Sequence, residues 1–165
     1  RDKIRNLEIT ESDEIIIYLP TYSPLKLIEL IKKIPQKKNW TIFSPDAKLR
    51  QNISGVNIEP LSEGLFLKKF ASCYGIVCAG GFATTSEAIF LGKPMIVVPV
   101  EAQIEQQFNA AALKEEGVTV IDRFSNENLD TISNWIDTPS ILKIEYKDES
   151  KEIVDILIND YSNLK

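Results

Sequence analysis

The stretch GIVCAGGFATTSEAIFLGKPMIVVP, residues 75–99, holds two apolar runs with a helical pattern between them. GIVC (Gly75–Cys78) and MIVVP (Met95–Pro99) are short and uncharged, as strands buried on both faces are. Ala83–Leu91 reads as a helix, closed by Gly92 and followed by Pro94, the usual stop signal. Strand, helix and strand in this spacing belong to a parallel sheet. Gly80 and Gly81 stand where the first strand passes into the helix, and the turn around them carries no Lys, Arg or His.

The same alternation extends in both directions. EIIIYL (Glu14–Leu19) is a first strand, rich in isoleucine. SPLKLIELIKKI follows as a helix with Leu27, Ile28, Ile31 and Ile34 on one stripe; Ser23 suits its cap and Pro24 its first position. WTIF (Trp40–Phe43) and Val56–Glu59 are the second and third strands, and Ser62–Ser72 is a helix. GIVC and MIVVP are then the fourth and fifth. Ile104–Glu116 is a helix with Ile104, Phe108, Ala111 and Ala112 on one face, stopped at Gly117. VTVI (Val118–Ile121) is the sixth strand. NENLDTISNWI and DESKEIVDILINDYSNL are C-terminal helices, with an irregular stretch, Asp137–Asp148, between them. The expected fold is α/β: a Rossmann-like, doubly wound, parallel six-stranded sheet with helices on both faces. Residues 13–165 form that domain, and the densely charged residues 1–12 read as a linker from a preceding domain.

Composition narrows the function. The chain has 165 residues, 44% of them hydrophobic and 26% charged, as in an ordinary single domain. A net charge of -5 with interspersed signs leaves no basic field for a nucleic-acid partner. No apolar run reaches the length of a membrane span. The chain begins at Arg1 rather than Met and is read as a piece of a longer protein. Cys73 and Cys78 lack CxxC spacing and read as reduced, buried thiols of a cytoplasmic protein. There is no histidine, so the commonest general base and metal ligand are absent.

In a sheet of order 3-2-1-4-5-6, the ligand crevice lies at the carboxyl ends of strands 1 and 4. Strand 1 ends in PTYSP, placing Tyr22 and Ser23 on one side of it; strand 4 ends in AGGFATT. Glycines at such a turn admit a close ligand, and the following helix offers unpaired N–H groups and the positive end of its dipole. The spacing matches neither a P-loop nor GxGxxG. A plain structural reading competes. TTSE (Thr84–Glu87) fits a capping box, with Thr84 at the cap and Glu87 reaching back to it.

The run from Gly75 to Asp122 resembles the C-terminal, donor-binding half of GT-B glycosyltransferases, and within them the family 28 (MurG-type) domain. The resemblance is carried by the glycine turn, Glu87, GKP, the apolar strand ending in Pro, and then Glu-Gln and NA in that order. It implies a UDP-sugar donor, with N-acetylglucosamine as the family 28 sugar. Gly80, Gly81, Phe82, Ala83, Thr84 and Thr85 would hold the diphosphate through N–H groups and the two threonine hydroxyls. Glu87 would accept hydrogen bonds from the ribose hydroxyls, Glu105 and Gln106 would bind the donor sugar, and Pro60, Leu61 and Ser62 would read the uracil. Tyr22 and Ser23 would line the crevice from the other side. Where many relatives have His or Arg before the glycines, this chain has Ala79. Diphosphate neutralisation then falls to the helix end, the N–H groups and the other domain. The resemblance further implies no cofactor and no metal. It puts the acceptor and the catalytic base in an N-terminal domain, in cis or on a separate chain, so that this chain alone is inactive. Any membrane contact, at the inner face, would be made through that other half.

Three alternatives stand beside the transferase. One is a UDP-N-acetylglucosamine 2-epimerase-like domain, although PVEAQIEQQ replaces the Arg-Pro-Glu-type segment expected there. Another is a non-catalytic donor-binding subunit. The third is a flavodoxin-like interaction module without a nucleotide, in which the capping box is the whole content of the glycine turn.

Overall fold

The computed structural model describes residues 2–35, 38–144 and 149–162. Seven strands form one sheet: β1 (Glu14–Tyr18), β2 (Asn39–Ser44), β3 (Gln51–Ile53), β4 (Val56–Pro60), β5 (Gly75–Cys78), β6 (Met95–Val97) and β7 (Thr119–Val120). Their order is β3-β4-β2-β1-β5-β6-β7. Setting β3 aside, the remaining strands are all parallel and reproduce the expected order 3-2-1-4-5-6. The α/β, Rossmann-like doubly wound class is therefore observed. The strand count changes from six to seven, because β3 adds an antiparallel edge to β4.

β3 exists because of a two-residue turn. Ile53 pairs with Val56 across Ser54 and Gly55, whose φ values are 54° and 86°. Two positive φ values in succession define the turn whose twist suits a hairpin. The Asn52 amide reinforces it: Oδ1 accepts from the Gly55 N–H at 3.2 Å, and Nδ2 donates to Asn57 Oδ1 at 2.8 Å.

The isoleucines of β1 serve both faces. Ile15 and Ile17 pack with Leu27, Ile28 and Ile31 of α2 (Pro24–Ile31) and with Ile132 and Trp135 of α6 (Leu129–Asp137). Ile16 faces Phe70 of α3 (Glu63–Ser72), Ala88 of α4 (Phe82–Phe90) and Ala110 of α5 (Ile104–Glu115). All three isoleucines are fully buried, each contributing about 1.5–3 kcal/mol of burial free energy. α1 (Asp2–Arg5) brings Ile4 into the second of these clusters, so the N-terminal segment packs on the domain at that point.

The predicted helix stops are real. Gly92 and Gly117 have φ of 63° and 85°. After α4, the N–H of Lys93 bonds to Ala88 O and that of Gly92 to Ile89 O; after α5, Val118 bonds to Leu113 O and Gly117 to Lys114 O. Both patterns are Schellman motifs. One expectation inverts. The apolar face of α5 with Ile104, Phe108, Ala111 and Ala112 is turned outward, Ile104 and Phe108 being 74% and 73% exposed. Ala110 is the buried contact instead, a small side chain that lets the helix lie close to the sheet.

α7 (Ser150–Ser162) leaves Ile153, Leu157 and Tyr161 exposed. Its expected ends at Asp148 and Leu164, residues 145–148 of the expected irregular stretch and Arg1 of the expected linker lie outside the described residues. Among the described residues no helix is long and apolar enough to cross a membrane.

Candidate functional site

α4 begins one turn earlier than a capping box requires. Gly81, at φ -69° and ψ 133°, is the cap residue, and Phe82 is the first helical residue. Thr84 therefore lies inside the helix, and the capping-box reading of TTSE does not describe this structure. The first intrahelical bond runs from the Thr85 N–H to Gly81 O at 3.3 Å, and the Gly81 cap makes no side-chain hydrogen bond. The N–H groups of Phe82, Ala83 and Thr84 are those a helix start leaves without intrahelical partners. They end at the carboxyl edge of β5, where an anion is favoured by both hydrogen bonding and the helix dipole.

Thr84 and Glu87, three residues apart on α4, share one helical face. That face forms a wall of a cavity of about 230 Å³, whose other walls are Tyr18, Leu61, Ser62, Glu63 and Phe66. Tyr18 is the last residue of β1, and Leu61 and Ser62 lead from β4 into α3. The cavity thus sits at the carboxyl ends of β1, β4 and β5, on the face covered by α3 and α4. Its floor is aromatic: Phe66 lies edge-on to Tyr18 and Phe43, with ring centroids 5.6 and 5.1 Å apart. Lys3 reaches its rim, donating to Glu63 Oε2 at 2.7 Å.

The structure brings together four of the residues singled out from sequence: Leu61, Ser62, Thr84 and Glu87. Pro60 ends β4 beside Ser44, adjoining the cavity in sequence without lining it. The two glycines separate in role. A Cβ on Gly81 would meet open space, whereas one on Gly80 would come within 2.7 Å of the Gln106 carbonyl oxygen. Gly80 is buried, its carbonyl accepts from Asn109 Nδ2 at 2.9 Å, and it is glycine so that α5 can touch the turn. Thr85 is 3% exposed, and its hydroxyl lies 3.1 Å from the carbonyl oxygens of Gly81 and Phe82. Its side chain serves the helix, and its N–H is already bonded.

The remaining expected residues lie outside this cavity. Glu105 is exposed on the first turn of α5. The Gln106 amide holds its own loop: Oε1 accepts from the Val100 N–H at 3.0 Å, and Nε2 donates to Gln103. Tyr22 packs on the α2 face, and its hydroxyl accepts from the Phe124 N–H at 3.1 Å. Ser23 caps α2 by backbone geometry alone, without the side-chain bond its type allows.

Sequence reasoning did not place Tyr18, Glu63 and Phe66 in the site. Tyr18 had a usable signal, as the one hydrogen-bonding side chain at the carboxyl end of the central strand. Phe66 read as one more apolar residue of a helical stripe.

Both thiols are free and buried. Burial pushes Cys78 up to about 12, and pushes Cys73 to about 12 against the opposing pull of Lys93. A thiol held neutral is neither nucleophile nor metal ligand. Among the described residues no three of His, Cys, Asp and Glu gather as a metal site needs.

A parallel sheet that reverses its winding beside an open helix start is a Rossmann-like α/β domain with the ligand crevice of that class. The model of the family described as Glycosyl transferase family 1 matches residues 1–138, and the chain belongs to that family. No curated protein matches the sequence. Among solved structures, the glycotransferase of kitacinnamycin superposes with a TM-score of 0.57 at 17% identity, over 77% of this chain and 34% of that one. The spinosyn rhamnosyltransferase SpnG, complexed with spinosyn aglycone, gives 0.52 at 22% identity over 79% and 38%. The same enzyme complexed with thymidine diphosphate gives 0.50 at 20% identity over 78% and 38%. These likenesses concern the fold, and the chain spans little more than a third of the length of those structures.

Proposed function

We propose that this chain is the donor-binding half of a GT-B glycosyltransferase and holds the nucleoside diphosphate of a UDP-sugar at the start of α4. The observation that carries the reading is the early start of that helix. It leaves the Phe82, Ala83 and Thr84 N–H groups at the crevice and puts Glu87 on the cavity wall with Thr84. The diphosphate would lie on those N–H groups, where the helix end offsets its charge without a metal and stabilises it further as it departs. The ribose would present its two hydroxyls to Glu87, whose carboxylate accepts one with each oxygen. A pyrimidine would lie over Tyr18 and Phe66, against the Pro60–Ser62 backbone. The thymidine diphosphate bound by SpnG supports a pyrimidine diphosphate here.

Membership of a glycosyl transferase family favours the transferase over the epimerase and the nucleotide-free module. The sugar would be a hexosyl group, and the resemblance of Gly75–Asp122 to the family 28 domain makes N-acetylglucosamine the first to test. Glu105 is open to that sugar as it stands; Gln106 would have to leave Val100 to reach it. The acceptor and the base belong to a second lobe, and this chain alone does not turn over. A cytoplasmic, metal-independent enzyme is the corresponding whole.

Calorimetric titration with UDP, thymidine diphosphate, UDP-N-acetylglucosamine and UDP-glucose tests the reading. Binding that persists in chelator is expected, with Glu87→Ala weakening every ligand by at least about tenfold, the worth of one hydrogen bond to a charged acceptor. A folded chain that ignores all four at millimolar concentration would remove the donor site. Gln106→Ala should weaken only the sugar nucleotides; an equal loss for UDP would end its assignment to the sugar.

A further inference from the structure

The N-terminal segment has the composition of a charged linker, yet it is fastened to the domain along its length. Ile4 is 4% exposed, packed into the cluster that α3 and α4 share. Further on, the Thr10 N–H bonds to Ala71 O at 3.4 Å, and Thr10 O accepts from Lys93 Nζ at 3.0 Å. Lys93 is buried, and the same ammonium holds Cys73 O at 3.0 Å, so the fastening is charge-assisted. The segment therefore runs along α3, from its start at Glu63 to its end near Ala71. At its head stands Lys3, whose Nζ donates to Glu63 Oε2 at 2.7 Å on the cavity rim. Both side chains are open, 67% and 53% exposed, and an exposed pair of this kind is a weak hold. The backbone beside Lys3 is anchored by Ile4, while its ammonium, on a flexible four-carbon stem, can change partner.

Charge gives that position a use. Glu63 and Glu87, two of the cavity walls, are carboxylates, and the turn from Cys78 to Glu87 has no Lys, Arg or His. A diphosphate brought to the start of α4 would add like charge beside them, against which the helix end sets only about half an elementary charge. Lys69 and Lys93 are committed at the amino end of the sheet, to Glu14 and to the two carbonyls. We infer that the N-terminal segment is a wall of the donor site and that Lys3 is a phosphate-binding residue, its ammonium leaving Glu63 for a phosphate oxygen when the donor enters. The inference rests on the donor-site reading and adds to it a residue carried outside the sheet and its covering helices. An ammonium has three donors and no acceptor, and its charge singles out the anionic oxygens of the ligand. The contribution of Lys3 thus belongs to the phosphates and not to the base or the ribose. Without a donor, Glu63 keeps the ammonium at the rim.

Calorimetric titration of the full chain with UDP and with uridine tests the assignment. Lys3→Met should weaken UDP about tenfold, one hydrogen bond to a charged group less the exposed pair it replaces, and should leave uridine unchanged. Lys3→Arg should retain most of the UDP affinity, and Lys3→Glu should lose more than Lys3→Met. The loss in Lys3→Met should shrink between about 0.05 M and about 1 M salt, because the ammonium is open to solvent. Lys26→Met removes an exposed lysine of α2, on the other face of the sheet, and should change neither ligand. The melting temperature should not move in any of these variants, since the Lys3–Glu63 pair is exposed. Equal UDP affinity in the parent and in Lys3→Met would overturn the proposal. An equal loss for uridine would do the same, by showing that the segment shapes the base or ribose pocket instead. So would an equal loss in Lys26→Met, which would reduce Lys3 to a share of the net charge. A parent chain that binds neither ligand condemns the donor site and Lys3 with it; a parent that binds UDP no better than Lys3→Met does condemns Lys3 alone.

Discussion

The two ends of the sheet use polar residues in opposite ways. At the amino end they are paired with one another. The Glu14 carboxylate takes Lys69 on both oxygens, at 2.7 and 2.8 Å, and the Thr41 hydroxyl at 2.6 Å. Lys93, 6% exposed, donates to the Thr10 and Cys73 carbonyls at 3.0 Å each. At the carboxyl end, Ser62, Glu63, Thr84 and Glu87 surround a cavity, and the helix starts at Ser62 and Gly81 carry no side-chain cap. Both ends are built from the same strands and the same helices. What differs is whether the polar groups are closed off within the fold or border a space that a ligand can fill. Polar groups of the first kind are expected to govern stability, and those of the second kind, binding.

Breaking the amino end should give the largest effect. Glu14→Ala strands the Lys69 ammonium, which is only 19% exposed, and leaves the Thr41 hydroxyl buried without its acceptor. A loss of about 3 kcal/mol is expected, the range for removing one partner of a buried pair. Urea unfolding measures it, and affinity for UDP at saturating folded protein should be unchanged. If Glu14→Ala left stability within about 0.5 kcal/mol of the parent, the contrast between the ends would collapse.

Gly80→Ala comes next, because its Cβ would stand 2.7 Å from the Gln106 carbonyl, a backbone atom that moves only with α5. About 1–3 kcal/mol should be lost, as for other overpacked sites. Hydrogen exchange should show where: amides of the first turn of α5 should lose protection before those of β1. Equal loss in both would mean that the turn and α5 do not form the joint described above.

The thiols sharpen the comparison from the side of pH, with no effect expected near neutrality. Cys73 lies at the amino end and Cys78 at the carboxyl end, and burial raises both thiols from their ordinary range to about 12. A group whose folded value is raised stabilises fully below its unfolded value and loses that contribution as pH rises toward the folded one. Stability should therefore fall between pH about 9 and about 12. In native protein at pH 8 neither thiol should react with a disulfide reagent, and both should react after unfolding. Fast labelling of Cys78 alone in the folded state would show that the carboxyl end opens more than its burial implies.

Much of the architecture was legible because it rests on local signals. The isoleucine run of β1 and the stops at Gly92 and Gly117 follow from a few neighbouring residues, and the strand order follows from the topology that alternating strands and helices adopt. β3 was not read because Gln51, Asn52 and Ile53 form a short, polar strand without alternation. Its only signal is the Ser54–Gly55 pair, which fits a two-residue turn. The orientation of α5 failed for a different reason. Periodicity shows that Ile104 and Phe108 share a face but not whether that face meets this sheet or something else. Of the site, the glycine turn at the head of α4 was legible from topology, while Glu87 and the Pro60–Ser62 loop were singled out only through the resemblance to a donor-binding half. The inward turn of Thr85 was not legible, since two adjacent threonines are equivalent in sequence and only the helix start decides which one faces the cavity.

Gly81→Ala should give the smallest change in stability and the clearest test of the carboxyl end. Its φ of -69° is open to any residue, and a Cβ there meets no atom within 4 Å. Helix capping adds a small cost, because Gly is preferred to Ala at a cap, and the change should stay within about 1 kcal/mol. The added methyl nonetheless projects from the residue whose backbone opens the row of N–H groups at the head of α4. A diphosphate seated there would have to shift outward, away from the groups that hold it. UDP affinity should therefore fall several-fold while uridine, which lacks the phosphates, binds as before. If both ligands weakened together, the methyl would be disturbing the base or ribose contacts, and the diphosphate would have to be placed elsewhere along the crevice.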